Sequence, residues 1–257
     1  MQISNSCWTE VIGMRKIKLV IEYDGSGYHG WQYQKNALSV QEVLSKAIKK
    51  LTGEDIMPEG AGRTDAGVHA CGQVASFSTN STIPAEKFTP ALNAYLPDNV
   101  SIISSEEAEA GFHARFSAKG KHYRYVIINR PQKSALLANK AWHVPERLDF
   151  EAMVKSSGYF IGHNCFKAFC AAGHNVKTFD RTVFYSQWQK NGQFLIYDIK
   201  GDGFLYNMVR IMVGTMVDIG KGRFEPEIIE EAIKNQQRNS IGVTAPPQGL
   251  YLMEVFY

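Results

Sequence analysis

Hydrophobic residues along the chain follow two spacings, one typical of strands and one typical of helices. Residues 14–23 alternate basic and apolar side chains and lead into a Gly-rich turn, which predicts a strand with one buried face. Ser39 and Glu42 form a capping box ahead of apolar residues at helical spacing that extend to Leu51. The first two predicted elements are therefore a strand and an amphipathic helix.

The same two spacings predict the other elements. Further strands are predicted at 73–78, 100–104, 122–128, 182–190, 193–200 and 249–257. Further helices are predicted at 85–95, 150–160, 205–216 and from Pro226 onward. Asn191-Gly192 is the strongest short hairpin signal, and it separates two of the strands. This mixture predicts an α/β (α+β) fold.

Length and composition set the domain organisation. The 257 residues suffice for one large domain or two smaller ones, and 44% hydrophobic and 21% charged residues are typical of a globular protein. We predict a loose N-terminal extension at 1–13, an N-terminal half at 14–112 and a C-terminal half at 113–257. No low-complexity linker separates the halves, which favours a rigid fused pair.

The chain has no run of about 18 apolar residues and no secretion signal at residues 1–10, which predicts a cytoplasmic protein without a membrane partner. Four cysteines are few for this length, so reduced thiols are expected. The net charge of +3 permits a nucleic-acid partner without requiring one. Basic residues form three local clusters, for which a solvated strand face is an equal explanation. They are Arg15, Lys16 and Lys18; Lys119, Lys121 and Arg124; and Lys221 and Arg223.

Common catalytic and metal-binding patterns are absent from the sequence. The glycine-rich stretch at 60–69 lacks the spacing of dinucleotide-binding and P-loop motifs, and no G-x-S-x-G or H-E-x-x-H occurs. Four possible metal ligands lie within twelve residues: His163, Cys165, Cys170 and His174. Their spacing lacks the paired C-x2-C of zinc sites, which favours ordinary loop residues over a metal site.

Arg210 lies within the apolar stripe of the helix predicted at 205–216. An unpaired charge in a protein interior is costly, and arginine cannot lose its proton to avoid that cost. We therefore expect an anionic partner for Arg210.

Five sequence motifs occur in order and at suitable separations. They are YDGSGYHGWQ at 23–32, GRTDAGVHA at 62–70, FHARFSAKGKHYRY at 112–125, FLYNMVRIMVG at 204–214 and GLYL at 249–252. Together they resemble the tRNA pseudouridine synthase A (TruA) family, and the resemblance extends from residue 14 to residue 257. Segment 165–175 departs from it, which puts in doubt how RNA is gripped there and which uridine is favoured.

The resemblance implies roles for five residues. Asp65 is the expected catalytic carboxylate, Tyr123 the aromatic packed against the target base, and Arg210 the ion-pair partner of Asp65. Arg63 is expected to enter the RNA helix in place of the target nucleotide, and Leu250 to form a hydrophobic wall. Without the resemblance, each has an ordinary structural interpretation, and for Leu250 a core position is as well supported as the pocket wall.

The expected reaction moves a uracil from its N1 to its C5 on the same ribose carbon, without net redox change or water, so no cofactor is expected. Asp65 could attack the anomeric carbon or remove a sugar proton, and the sequence leaves both routes open. Either route needs an ionised carboxylate, which Arg210 would favour. Tyr123 could stack on the uracil and accept the C5 proton. The target must leave the RNA stack, at a cost of a few kcal/mol.

The resemblance further implies a mixed, largely antiparallel sheet with flanking helices, formed by two RRM-like halves around a central cleft. It implies a homodimer that binds tRNA and modifies positions 38–40 of the anticodon stem-loop. Two alternatives remain open: an RNA-binding protein without catalysis, and a metal-dependent nuclease built on the His and Cys cluster.

Overall fold

The computed structural model describes residues 14–173 and 176–257. Its strands are β1 (Arg15–Tyr23), β2 (Glu59–Gly60), β3 (His69–Thr79), β4 (Val100–Ala108), β5 (Gly120–Asn129), β6 (Trp142–Val144), β7 (Gly162–Cys165), β8 (Asp180–Asn191), β9 (Phe194–Gly201) and β10 (Leu250–Phe256). Its α-helices are α1 (Val40–Thr52), α2 (Phe88–Asn93), α3 (Phe150–Gly158), α4 (Met208–Gly220) and α5 (Ile228–Asn235). The extension predicted at 1–13 lies outside the described residues. No helix of the described part is long and apolar enough to cross a membrane.

All ten strands form one sheet. The main order is β4-β1-β3-β10-β5-β9-β8-β7, with β2 beside β3 and β6 beside β5. Within the described residues, only β3–β10 and β5–β6 are parallel pairs. The predicted α/β (α+β) class with a largely antiparallel sheet is therefore confirmed.

Strand β10 lies between the strands of the N-terminal and C-terminal parts. It pairs with β3 over a short parallel stretch in which Tyr251 lies opposite His69. On its other edge it pairs antiparallel with β5, from Leu250 opposite Tyr125 to the end of the strand. One continuous sheet thus crosses the predicted boundary at 112/113, and the division into two RRM-like halves stays a prediction.

Helix α1 forms where the capping box predicted it. The Ser39 side chain accepts a hydrogen bond from the Glu42 amide at 3.3 Å, which satisfies one of the free amides of the first turn. The helix ends at Gly53, whose φ of 77° suits a residue without a side chain. Its apolar face is buried in the hydrophobic core through fully buried residues such as Leu44 and Ile48.

The helix predicted at 85–95 is shorter than expected. It consists of a single 3-10 turn followed by α2, which ends at Asn93. The Asn93 side chain accepts from the amide of Ile102 at 2.7 Å and donates to its carbonyl at 2.9 Å. These bonds lie where the register of β4 against β1 shifts. A tertiary contact to a distorted edge strand thus accompanies the helix end.

The predicted hairpin is present, but its turn is displaced by one residue. Asn191 pairs with Phe194, so the two residues of the turn are Gly192 and Gln193. Gly192 has a φ of 56°, which glycine adopts without steric cost. A strand predicted from residue 73 begins at His69, so the glycine-rich loop is shorter than its sequence suggested.

Helix α4 is the most buried helix of the fold and packs beside α3. Gly214 of α4 allows the loop after α5 to approach the helix, because a Cβ atom there would lie 1.8 Å from the carbonyl oxygen of Val243. Backbone cannot move aside as easily as a flexible side chain. The close approach therefore requires glycine at this position.

Gly214→Ala is expected to lower the free energy of unfolding by about 3 kcal/mol, because overpacking displaces the loop or the helix. The measurement is chemical denaturation of both proteins. Gly158→Ala is the matched control, since nothing lies within 4 Å of a Cβ atom there. An equal loss of stability in the two variants would contradict the steric explanation.

Candidate active site

The glycine-rich loop between β2 and β3 is held by the segment that follows β1. The Trp31 amide donates to the carbonyl of Thr64 at 3.1 Å, and the Gly67 amide donates to the carbonyl of Tyr28 at 3.2 Å. The hydroxyl groups of Thr64 and Tyr23 lie 2.7 Å apart in a buried hydrogen bond. Both sides of Asp65 are therefore fixed by backbone and side-chain contacts.

Glycines in the first sequence motif make this contact possible. A Cβ atom on Gly30 would lie 2.3 Å from the carbonyl oxygen of Thr64, and Gly30 has a φ of 86°. A Cβ atom on Gly25 would lie 1.9 Å from the carbonyl oxygen of Val68. The glycines of YDGSGYHGWQ thus allow two backbone segments to touch on either side of Asp65.

The structure pairs Asp65 with Arg210 of α4. Arg210 Nη1 donates to Asp65 Oδ2 at 3.0 Å and to Asn207 Oδ1 at 2.7 Å, while Nε donates to the carbonyl of Ala245 at 2.8 Å. The side chain of Arg210 is 15% exposed and that of Asp65 is 26% exposed. Asp65 is therefore the anionic partner that the buried helix required, and its carboxylate remains open to a ligand.

Asn207 and Ala245 hold the guanidinium but were not predicted from the sequence. Asn207 has a φ of 59°, a conformation that asparagine tolerates better than most residues, and it stops α4 from extending to residue 205. The polar side chain just ahead of an apolar helix was the available signal. For Ala245 the contact is through the backbone, so no side-chain pattern could have indicated it.

Tyr123 lies on β5 and is 7% exposed. Its ring meets that of Phe204 edge to face, with centroids 5.2 Å apart. Burial raises the pKa of the Tyr123 hydroxyl, and Tyr23 and the Asp65 carboxylate raise it further. The hydroxyl therefore lies within electrostatic reach of Asp65 and stays protonated at neutral pH.

Leu250 and Arg63 stand in different environments. Leu250 is 5% exposed and belongs to the core beside Tyr125, so its role as a pocket wall stays a prediction. Arg63 is exposed, and its Nε donates to Gln32 Oε1 at 3.2 Å. Gln32 in turn donates to the buried Gln41 of α1 at 2.9 Å. The side chains of Gln32 and Gln41 thus orient Arg63 through two successive hydrogen bonds, without a contact to Asp65.

Lys121 lies on the same face of β5 as Tyr123, two residues away. Its ammonium group borders the loop, because a Cβ atom on Gly62 would lie 2.9 Å from Lys121 Nζ. Burial lowers the pKa of Lys121 to about 8, and the nearby Arg115 and Arg181 lower it in the same direction. Sequence analysis had placed Lys121 only in a basic cluster.

Lys121 and Arg124 of that basic cluster lie on opposite faces of the sheet. Strand alternation places Arg124 on the face opposite Lys121, where it binds Asp198 through Nε at 3.0 Å and Nη2 at 3.1 Å. Four of the five cations of the other two clusters are also paired with carboxylates, whereas Lys16 donates to the Ser78 hydroxyl at 3.5 Å. These pairs are Arg15–Glu107, Lys18–Glu106, Lys221–Glu146 and Arg223–Asp218. Their partners favour a solvated strand face over a nucleic-acid-binding surface as the explanation of these clusters.

The possible metal ligands do not converge in the described part of the chain. His163 Nδ1 lies 3.1 Å from the hydroxyl of Thr182, and Cys170 is buried at the end of a 3-10 turn. His174 lies outside the described residues. Among those that are described, no group of three His, Cys, Asp or Glu side chains could hold a metal ion.

Comparison with known proteins gives a consistent result. A family model described as tRNA pseudouridine synthase matches residues 19–117 and 157–257. The chain is 50% identical to tRNA pseudouridine synthase A of Acetivibrio thermocellus, over 95% of this chain and 100% of that one. It is 49% identical to the protein of the same name in Thermoanaerobacter sp. strain X514, with the same coverage. A chain in the crystal structure of a Cbf5-Nop10-Gar1 complex is 13% identical, with a TM-score of 0.34 over 78% of this chain and 53% of that one, too remote for any inference.

Proposed function

Because the chain belongs to the tRNA pseudouridine synthase family, we propose that it isomerises uridine to pseudouridine at positions 38–40 of the tRNA anticodon stem-loop. The observation that supports this most directly is the Asp65–Arg210 pair, with Nη1 and Oδ2 3.0 Å apart. A partly open carboxylate held on a rigid loop is what chemistry at a ribose carbon needs. Tyr123 supplies a buried aromatic ring within electrostatic reach of that carboxylate.

The reaction begins with Asp65 acting on the ribose of the target. Either its carboxylate attacks the anomeric carbon or it removes a proton from the sugar, and in both routes the bond from the sugar to uracil N1 breaks. The uracil turns and its C5 bonds to the same carbon. C5 then releases its proton and N1 carries one, so atoms and electrons balance. No oxidant, reductant or water is consumed, and we propose no cofactor.

Arg210 keeps the carboxylate in position throughout these steps. Its three hydrogen bonds fix the guanidinium, so the direction of the carboxylate is set before substrate arrives. Arg210 therefore acts as a positioning residue, whereas Asp65 contacts the reacting atoms. We propose further that Leu250 borders the uracil and that Arg63 fills the place of the extruded nucleotide.

Tyr123 holds the uracil while it turns. Its buried hydroxyl remains protonated, which suits a hydrogen-bond donor to the detached base. Transfer of the C5 proton to Tyr123 then requires the hydroxyl to pass its own proton to solvent at the same time, which balances the proton that N1 takes up. The partners that complete this function are tRNA and a second copy of the chain, and both belong to the proposal.

The test is release of tritium from C5-labelled uridine in tRNA incubated with the purified protein, followed by mapping of the modified positions. We expect release at positions 38–40, with RNA length unchanged. Binding without release would favour the non-catalytic RNA-binding alternative. Shortened RNA that depends on added metal would instead favour the nuclease.

Tyr123→Phe is expected to lower kcat about a hundredfold with little change in KM, because it removes one proton-transfer group and keeps the ring. Tyr123→Ala removes the ring as well, so KM should also rise, by about tenfold. Steady-state kinetics on one tRNA measures both parameters. Equal KM values in the two variants would contradict a stacking role for the ring.

A further inference from the structure

Within residues 14–173 and 176–257, three cationic side chains near the glycine-rich loop form no ion pair with an acid. Lys121 is on β5, Arg115 is on the loop that precedes it, and Arg181 is near the start of β8. Ion pairs in the described residues involve many of the other arginines and lysines, but none of these three. Both arginines lie close enough to Lys121 to disfavour its charged form. Three like charges have therefore been gathered without an ion pair to a described residue.

Sheet register explains how they meet. Lys121 lies opposite Gly201 on β9, and Gly201 lies opposite Val183 on β8. Arg181 is two residues before Val183 and therefore on the same face of β8. Its side chain runs along Gly203, where a Cβ atom would lie 3.4 Å from Arg181 Nε. Glycine at 203 thus leaves room for the Arg181 side chain on this face.

Arg115 is the third cation of the group and lies in the turn before β5. Its guanidinium lies over the ring of the exposed Phe116, 5.7 Å from the centroid. The turn that carries it is fixed, because the amides of Arg115 and Phe116 donate to His113 Nδ1 at 3.1 and 3.4 Å. Arg115 is therefore presented from an ordered turn, with its hydrogen-bond donors still available.

Such a grouping is unfavourable in the free protein, since like charges repel and Lys121 is partly removed from water. An anion bound between the three cations would attract each of them and offset their mutual repulsion. The group offers several N–H donors, although Arg181 Nη1 already donates to the carbonyls of Thr178 and Asp180. The nearby carboxylates have other partners, since Glu59 lies beside His113 and Asp202 accepts from the Thr182 amide. Charge-assisted N–H donors match a phosphodiester better than a base edge. Its position beside Gly62 and Tyr123 limits which phosphodiester could reach it.

We propose that Lys121, with Arg115 and Arg181, binds one of the two phosphodiester groups that flank the target uridine. This inference rests on the proposed function. Lys121 contacts the phosphate from the side of the Gly62 loop, Arg115 from the loop before β5, and Arg181 from the start of β8. The contact positions the extruded nucleotide over Asp65. This assigns Lys121 to substrate binding at the site, whereas Arg124, three residues away, belongs to an ion pair on the other face.

The test is a double-mutant cycle between protein and RNA. The RNA is an anticodon stem-loop in which one linkage, 5′ or 3′ of the target, is a neutral methylphosphonate, with a 2′-O-methyl group on the preceding sugar in every RNA to prevent cleavage. The protein carries Lys121→Met, which keeps the length of the side chain, in an Asp65→Ala background that prevents turnover. Each single change is expected to weaken RNA binding about tenfold. At one of the two linkages, the neutral linkage and Lys121→Met together should weaken RNA binding no more than either change alone.

Lys119→Met is the matched control, because Lys119 is exposed and lies two residues before Lys121. It should retain its full sensitivity to the neutral linkage. Additive losses for Lys121→Met at both linkages would overturn the inference. Pseudouridine formation by the otherwise unchanged protein, measured in parallel, separates this failure from failure of the proposed function.

A second measurement uses pH. With a pKa of about 8, Lys121 loses its proton between pH 7 and pH 9, so RNA affinity of the parent protein should fall over this range. Lys121→Arg keeps its charge throughout and should bind with little pH dependence. The charged and titratable groups that face Lys121 are Arg115, Arg181 and the protonated Tyr123. A parallel fall in the Lys121→Arg variant would contradict the role of Lys121.

Discussion

Replacing Asp65 by alanine is expected to abolish pseudouridine formation, with a loss of at least about 10⁴-fold in kcat. The carboxylate is the group proposed to act on the ribose, and no other acid pairs with Arg210 in the described residues. Tritium release from C5-labelled tRNA measures the loss. Binding of tRNA should be retained, because phosphate contacts from cationic side chains supply most of the affinity.

The control for this variant is Asp98→Ala, which removes an exposed acid from the turn before β4. Its activity should equal that of the unchanged protein. The Asp65→Ala variant must also be shown to be folded, since it leaves Arg210 without its acidic partner. Undiminished turnover by a folded Asp65→Ala protein would remove the basis of the proposed mechanism.

Arg210→Ala is expected to lower kcat about a hundredfold and to lower the free energy of unfolding by about 2 kcal/mol. The variant frees the Asp65 carboxylate to rotate and leaves Asn207 and the carbonyl of Ala245 without their donor. Steady-state kinetics and chemical denaturation provide the two measurements. KM should change little, because Arg210 is proposed to position Asp65 and not to bind RNA.

Arg210→Lys distinguishes charge from geometry. Lysine keeps the positive charge but cannot reproduce the fork that reaches Asp65, Asn207 and Ala245 together. We expect kcat to recover only in part. Arg147→Ala, which removes an exposed arginine, is the control and should match the parent protein. Full recovery with lysine would show that charge alone positions Asp65.

Elements whose ends are set by local interactions were predicted well. The first turn of α1 depends on Ser39 and Glu42, which are three residues apart, so the sequence contained the whole signal. The end of α2 coincides with a contact between Asn93 and Ile102 of a distorted strand, which hydrophobic spacing does not reveal. Local chemistry was therefore predictable, whereas tertiary effects on element ends were not.

The candidate site shows the same division. Burial of α4 required an anion beside Arg210, and the family resemblance identified Asp65 for that place. The backbone contact to Ala245 leaves no trace in the pattern of side chains. Lys121 and Arg124 were grouped by proximity in sequence, although alternation along one strand separates their faces. Applying the strand period to the basic residues would have separated them.

The place of β10 in the sheet has a consequence for the order of assembly. Asp65 precedes β3 on one side of β10, while Tyr123 lies on β5 at its other side. Strand β10 leaves the ribosome after every other described strand. The nascent chain therefore cannot pair β3 and β5 with β10 until β10 has been translated. Asp65 and Tyr123 therefore take up their final places on either side of β10 only once that last described strand has been synthesised.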